Sequence, residues 1–224
     1  MSYLPIHQEQ IDRALEIAME LRIGSIEVER ALANGSIKKF LQSLVVTIDT
    51  EYVPLSDTRI KELSKLAENH RARIHVLRRV IVDQGRDWNT AIDRGGPDTI
   101  RSSIVRNQET ALRYLPVSEK IIETDIALLC YFKRCGSLDT AMNWAFQANL
   151  IVCNPREIFA AAEQNPDLNM TIGQRPMRVV APKVSASKND SMCGVLWQDS
   201  RRHVCECKAE NIHGSLACWY GFRE

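Results

Sequence analysis

The chain has 224 residues, 45% hydrophobic and 25% charged, enough apolar material for one substantial core. Its formal net charge of +1 excludes a global electrostatic pull toward nucleic acid or an acidic membrane, so any polyanion site has to come from local clustering. No run reaches the ~18 apolar residues of a membrane-crossing helix, and residues 1–10 lack a basic stretch followed by an apolar one, so a cytoplasmic protein without membrane contact is expected.

The first half reads as helical. Residues 10–22 place Ile11, Leu15, Ala18, Met19 and Leu21 at helical spacing, and Gly24 with Ser25 ends the segment. A second helix runs through Val28 and Leu32; Asn34 and Gly35 break it, and Ser36 can cap a continuation carrying Ile37, Phe40, Leu41 and Leu44. Residues 45–53 are rich in β-branched side chains and read either as a short strand or as the end of that helix before Pro54. Ser56 or Asp57 then caps a long helix through Ile60, Leu63, Leu66, Ile74, Leu77 and Ile81, ending near Gly85. Gly95, Gly96 and Pro97, within 93–98, mark the clearest break, and a shorter helix over 99–114 closes at Leu115 and Pro116.

The segment 119–132 is strongly apolar and reads as the central buried helix. Ser137 can cap a helix over 138–149; after a four-residue apolar connection, Asn154, Pro155 and Glu157 make a capping-box-like start for another over 156–164. Helix, tight turn, helix is the form of DNA-reading units and equally of any antiparallel helical hairpin. With Arg156 as its only basic residue, the second helix is read as structural. Pro166, Gly173, Pro176 and Pro182 interrupt the pattern over 165–182, and 183–191 is polar. The expectation is a mainly α protein: a helical domain over 1–165, a linker over 166–191, and a small cysteine-rich unit over 192–224 with short strands at 194–198, 203–208 and 215–222.

The chemistry concentrates in that tail, which holds Cys193, His203, Cys205, Cys207, His213 and Cys218. Thiolate and imidazole are zinc ligands, and a short segment with little apolar sequence gains from a metal staple. In a strand, positions 203, 205 and 207 share a face, so His203, Cys205 and Cys207 could point together toward Cys193 or Cys218. The spacing is not the paired two-residue gap of ordinary zinc knuckles, which leaves buried free thiols and disulfides as alternatives. An odd total of seven cysteines suits a reducing compartment better than a disulfide framework.

A second cluster is basic. Residues 70–113 hold nine arginines, including Arg71, Arg73, Arg78, Arg79, Arg101, Arg106 and Arg113, against five acids. Arginine suits bidentate phosphate contact, so these seven are candidate DNA-binding residues, with a solvated surface or a partner's acids as the alternative. Trp197, Trp219, Tyr220 and Phe222 in the tail point instead to a protein interface or to the tail's own core. No phosphate-cradling glycine loop, His-Glu-x-x-His helix or nucleophile elbow is present, so no enzyme is expected.

In the order of its parts the chain resembles the flagellar master-regulator FlhC family. The pieces that carry the likeness are Ala18-Met19-Glu20-Leu21, Leu115-Pro116-Val117-Ser118, the apolar segment with Leu129 and Phe132, residues 136–141 ahead of Ala145-Phe146, and the cysteines near the C-terminus. The resemblance implies a cytoplasmic, helical, DNA-binding transcription activator with a four-cysteine zinc site, working with a smaller partner subunit. The family's two close cysteine pairs stand here as Cys193, Cys205, Cys207 and Cys218 at other spacings, so ligand type carries over and His203 or His213 can substitute. The competing expectation is a helical adaptor with no nucleic-acid role, acting through a protein partner or as a homo-oligomer.

Overall fold

The computed structural model describes residues 52–116, 118, 120–132, 137–182, 191–208 and 218–224; the expected helices before residue 52 lie outside this set. Among the described residues are the helices α1 (Asp57–Asn69), α2 (Trp88–Gly95), α3 (Gln108–Arg113), α4 (Leu138–Gln147), α5 (Pro155–Gln164) and α6 (Leu168–Ile172), and a 3-10 turn at Ile104–Arg106. The strands are β1 (Ala72–Asp83), β2 (Ile121–Tyr131), β3 (Ile151–Val152), β4 (Met177–Val180), β5 (Ser191–Gln198), β6 (Arg201–Lys208) and β7 (Cys218–Arg223). They form one mixed sheet in the order β1-β2-β7-β4-β5-β6, with β3 also paired to β7. All pairings are antiparallel except β4 with β7. The fold is therefore α/β, and the mainly α expectation is overturned.

Two misread segments account for that correction. The long helix expected from residue 57 stops at Asn69: Arg71 takes a positive φ of 55°, and the chain re-enters as β1. Despite their helical spacing, Ile74, Leu77 and Ile81 do not share a face: Ile74 packs against one core cluster, Leu77 lies in the other and Ile81 is exposed. Arg79 sits at φ 52° and the register against β2 shifts between Leu77 and Val80, a bulge that keeps Leu77, Val80 and Val82 in the same core cluster. The expected central helix at 119–132 is strand β2. Its continuous apolar run reflects a strand buried on both faces, which periodicity does not separate from a buried helix. The helix expected over 99–114 is shorter and broken, reduced to the 3-10 turn and α3.

Alternation sorts the core onto two faces. Ile126, Leu128 and Cys130 of β2, Val179 of β4, Val195 and Trp197 of β5 and Trp219 of β7 pack with Trp88 and Ile92 of α2 and Ile158 and Phe159 of α5. Ala127, Leu129 and Tyr131 of β2 and Cys218, Tyr220 and Phe222 of β7 pack with Leu63 of α1 and Leu138 and Trp144 of α4. Helices thus cover both faces. Gly95 lets α2 approach α5, since a Cβ there would stand 2.7 Å from the Phe159 Cβ.

The cap at Ser137 and the capping box of Asn154 with Glu157 behind Pro155 are as read, and Thr140 adds a capping box to Ser137 at the start of α4. The domain division is corrected. The expected linker contains α6 and β4, and the expected separate tail supplies β5, β6 and β7, with β7 inserted between β2 and β4. Residues 52–224 form one compact unit.

Candidate functional site

The four cysteines expected at one metal do not converge. Cys193 opposes Glu206 and Met192 opposes Cys207 along the β5–β6 ladder, so Cys193 lies on the opposite face from Cys205 and Cys207. Cys193 packs with the α2 and α5 side of the core, whereas Cys207 and Cys218 belong to the other side. Burial pushes the Cys193 and Cys218 thiols up. The expectation that positions 203, 205 and 207 share a face holds, and the Cys207 thiol beside Cys205 holds the Cys205 thiol below its ordinary value, against burial and with Arg178 assisting. His203 Nδ1 bonds to the Asp98 carbonyl at 2.8 Å. His213 lies outside the described residues, and among those described no group of three or more His, Cys, Asp or Glu side chains is placed to hold a metal. The expected four-cysteine set does not fit a tetrahedral ion.

Most of the candidate arginines are engaged inside the protein. Arg78 pairs with Asp57 at 2.9 Å and Asp125 at 3.3 Å, Arg79 with Glu123 at 2.9 Å, Arg106 with Asp93 at 2.5 Å, and Arg113 with Glu109 at 2.5 Å. Arg73 donates to Gln174 and lies 5.0 Å from the Trp219 ring centroid. Arg71 and Arg101 remain exposed without an acidic partner among the described residues. The second helix of the helix-turn-helix candidate, α5, is buried along Pro155–Ala162, which leaves it no free face for a DNA groove.

A different site emerges where β1 runs into α2. Asp87 caps α2 by accepting from the Thr90 amide, and Trp88, the first helical residue, donates from Nε1 to the Val105 carbonyl at 2.8 Å. That bond pins the segment leading into α3. The Trp88 ring stacks on Tyr114 at 5.3 Å between centroids and tilts against Phe159 at 5.4 Å. The Arg156 guanidinium lies 5.2 Å from the same Trp88 ring. Together with Arg86, Asp87, Leu112 and Leu115, Trp88 and Arg156 line a cleft of about 320 Å³.

Arg156 is the unusual member. It is 6% exposed and donates to the Tyr114 carbonyl and, at 3.3 Å, to the Arg86 carbonyl. Burial holds its pKa below the ordinary arginine value, against the pull of Asp87 and Asp83. The rim opposite is apolar and open: Leu112 is 57% and Leu115 62% exposed. In the sequence Arg156 is marked only as the lone basic residue of an apolar helix; that isolation, at the second position of a capped helix, is the available signal. The cleft itself joins segments 85–88, 108–116 and 156, so no single stretch announces it.

No protein-family model, curated protein or solved structure matches the chain.

Proposed function

We propose that the protein is a non-catalytic interaction module of the cytoplasm that holds a segment of a partner protein in the cleft between the 85–88 turn and α3. The observation that carries this reading is a ligand-sized cleft whose rim is left apolar and open. Leu112 and Leu115 line it, and just upstream Ile104 and Ile100 are 61% and 70% exposed. Four large aliphatics on one solvated segment gain about 25 cal/mol per Å² of apolar surface when a partner covers them. Trp88 and Tyr114 beneath them supply the rigid aromatic support on which interface anchors pack. Six free cysteines among the described residues suit the reducing cytoplasm.

The regulator reading implied by the FlhC resemblance is the competitor. Its specific footing is the exposed pair Arg71 and Arg101, since the internal ion pairs of Arg78, Arg79, Arg106 and Arg113 would have to be given up for phosphate contact. Selection from a random peptide library should yield binders that are lost on a Leu112→Asp, Leu115→Asp variant and are little affected by salt. The same protein should show no duplex DNA binding that collapses between about 50 and 200 mM salt. Salt-sensitive duplex binding abolished by Arg71→Glu with Arg101→Glu, and no rim-dependent peptide, would move the assignment to nucleic acid.

A further inference from the structure

The cleft contains a buried guanidinium that no carboxylate meets at ion-pair distance among the described residues; Asp87 and Asp83 act on it only from further off. That guanidinium belongs to Arg156, whose Nε has no hydrogen-bond partner among the described residues. Its neighbours do have carboxylates. Arg86, in the adjoining turn, meets Glu163 at 2.5 Å and Asp83 at 3.8 Å, and Arg223 meets the buried Glu157 at 2.8 Å. An unpaired guanidinium withdrawn from water is destabilising, so its presence on the wall of a cleft marks the place where an anion belongs.

We propose that the cleft takes the free C-terminal carboxylate of a partner chain, the carboxylate set against Arg156 and the terminal apolar side chain set among Trp88, Leu112 and Leu115. This rests on the interaction reading above and adds the chemical group that is recognised. The charge count on the cleft wall selects the anion. Arg86 is already neutralised, and Asp87 keeps its own negative charge on the wall, where it accepts from the Thr90 amide and Oγ1 at 2.9 and 3.1 Å. Arg156 and Asp87 together leave the wall with no net charge, so a carboxylate brings it to one negative charge and a phosphate dianion to two, which favours the singly charged anion. The long bond to the Arg86 carbonyl is the contact a carboxylate would replace, and the leftover Nε–H completes the guanidinium fork. A chain terminus carries its acid and its apolar side chain on the same carbon, matching a cation and an aliphatic rim that share one cleft of about 320 Å³.

The test titrates N-acetyl-Ala-Ala-Leu, its C-terminal amide and octanoate separately into ¹⁵N-labelled full-length protein. The Trp88 indole N–H and the α3 amides are the reporters. The acid should shift these resonances saturably and bind about tenfold tighter than the amide or octanoate, a charge-assisted bond being worth at least ~1.4 kcal/mol. Arg156→Gln should erase the preference for the acid, Arg156→Lys should keep part of it, and Leu115→Ser should weaken acid and amide alike. If Arg156→Gln does not fold, the acid and amide comparison on the unaltered protein decides. Equal binding of acid and amide, both weakened by Leu115→Ser, would overturn the carboxylate inference and leave the interaction reading standing. Octanoate matching the peptide acid would overturn the chain-terminus assignment, and silence of the reporters toward all three probes would overturn both readings.

Discussion

Asp125 and Arg156 are both buried charges, and the protein surrounds them in opposite ways. The Asp125 carboxylate is 3% exposed and sits at the β1 bulge, where it accepts from Tyr52 Oη, the Leu55 amide and the Arg79 amide at 2.8 Å each, and pairs with Arg78. Both of its oxygens are engaged, and the network ties the 52–55 segment to the sheet. Arg156 receives two carbonyls and an aromatic face but no acid. The contrast separates a carboxylate with every oxygen engaged by internal donors from a guanidinium that no carboxylate meets, on the wall of an open cleft.

The largest effect is expected at the third buried charge, Glu157. It accepts from the Asn154 amide and Gln84 and pairs with Arg223. Glu157→Ala removes the reciprocal half of the α5 capping box and strands Arg223, and should cost about 3–5 kcal/mol in urea unfolding. Asp125→Asn comes next, at about 2–3 kcal/mol. Burial pushes the Asp125 carboxyl up, but the bonds from Arg79, Tyr52, Leu55 and Arg78 together outweigh it and leave its pKa below the ordinary value. A depressed folded pKa means that the stabilisation is complete above the unfolded value, about 3.9, and is lost as pH falls through the lower folded value. The urea midpoint should therefore drop along that acid limb in the unaltered protein and stay flatter in Asp125→Asn.

Arg156→Met sharpens the comparison from the other side. Replacing a buried cation that no carboxylate meets by an apolar chain of similar length should change stability by less than about 1 kcal/mol. A loss as large as that of Asp125→Asn would mean that Arg156 is architectural after all, and the contrast would fail. The smallest effect is expected for Arg71→Glu with Arg101→Glu. Both side chains are exposed and outside any ion pair among the described residues, so each should shift unfolding by no more than ~0.5 kcal/mol.

The same division between local and distant partners runs through what could be read in advance. The starts of α4 and α5 were legible because capping is a contact between residues a few positions apart: Ser137 as a cap, and Asn154 with Glu157 as a capping box. The tail strands were legible from their composition, and the shared face of Cys205 and Cys207 from the two-residue period. The arginine cluster misled because its acids come largely from elsewhere. Asp57, Glu123, Asp125 and Glu163 all lie outside 70–113, so a local excess of positive charge was not a surplus in space.

The sequence by itself determined the caps, the break at 93–98, the apolar character of β2 and the strand tendency of the tail, since each depends on backbone preference or on neighbours within a few residues. Only the tertiary structure decided that 121–131 is a strand, because burial on both faces erases the alternation that would mark it. It also decided that β7 enters the sheet between β2 and β4, which leaves no independent tail, and that the β5–β6 register turns Cys193 to the opposite face from Cys205 and Cys207. Strand pairing and charge pairing are contacts between distant residues. Hence the cleft, with Trp88, Leu115 and Arg156 drawn from three separate segments, exists only after the sheet and helices have packed.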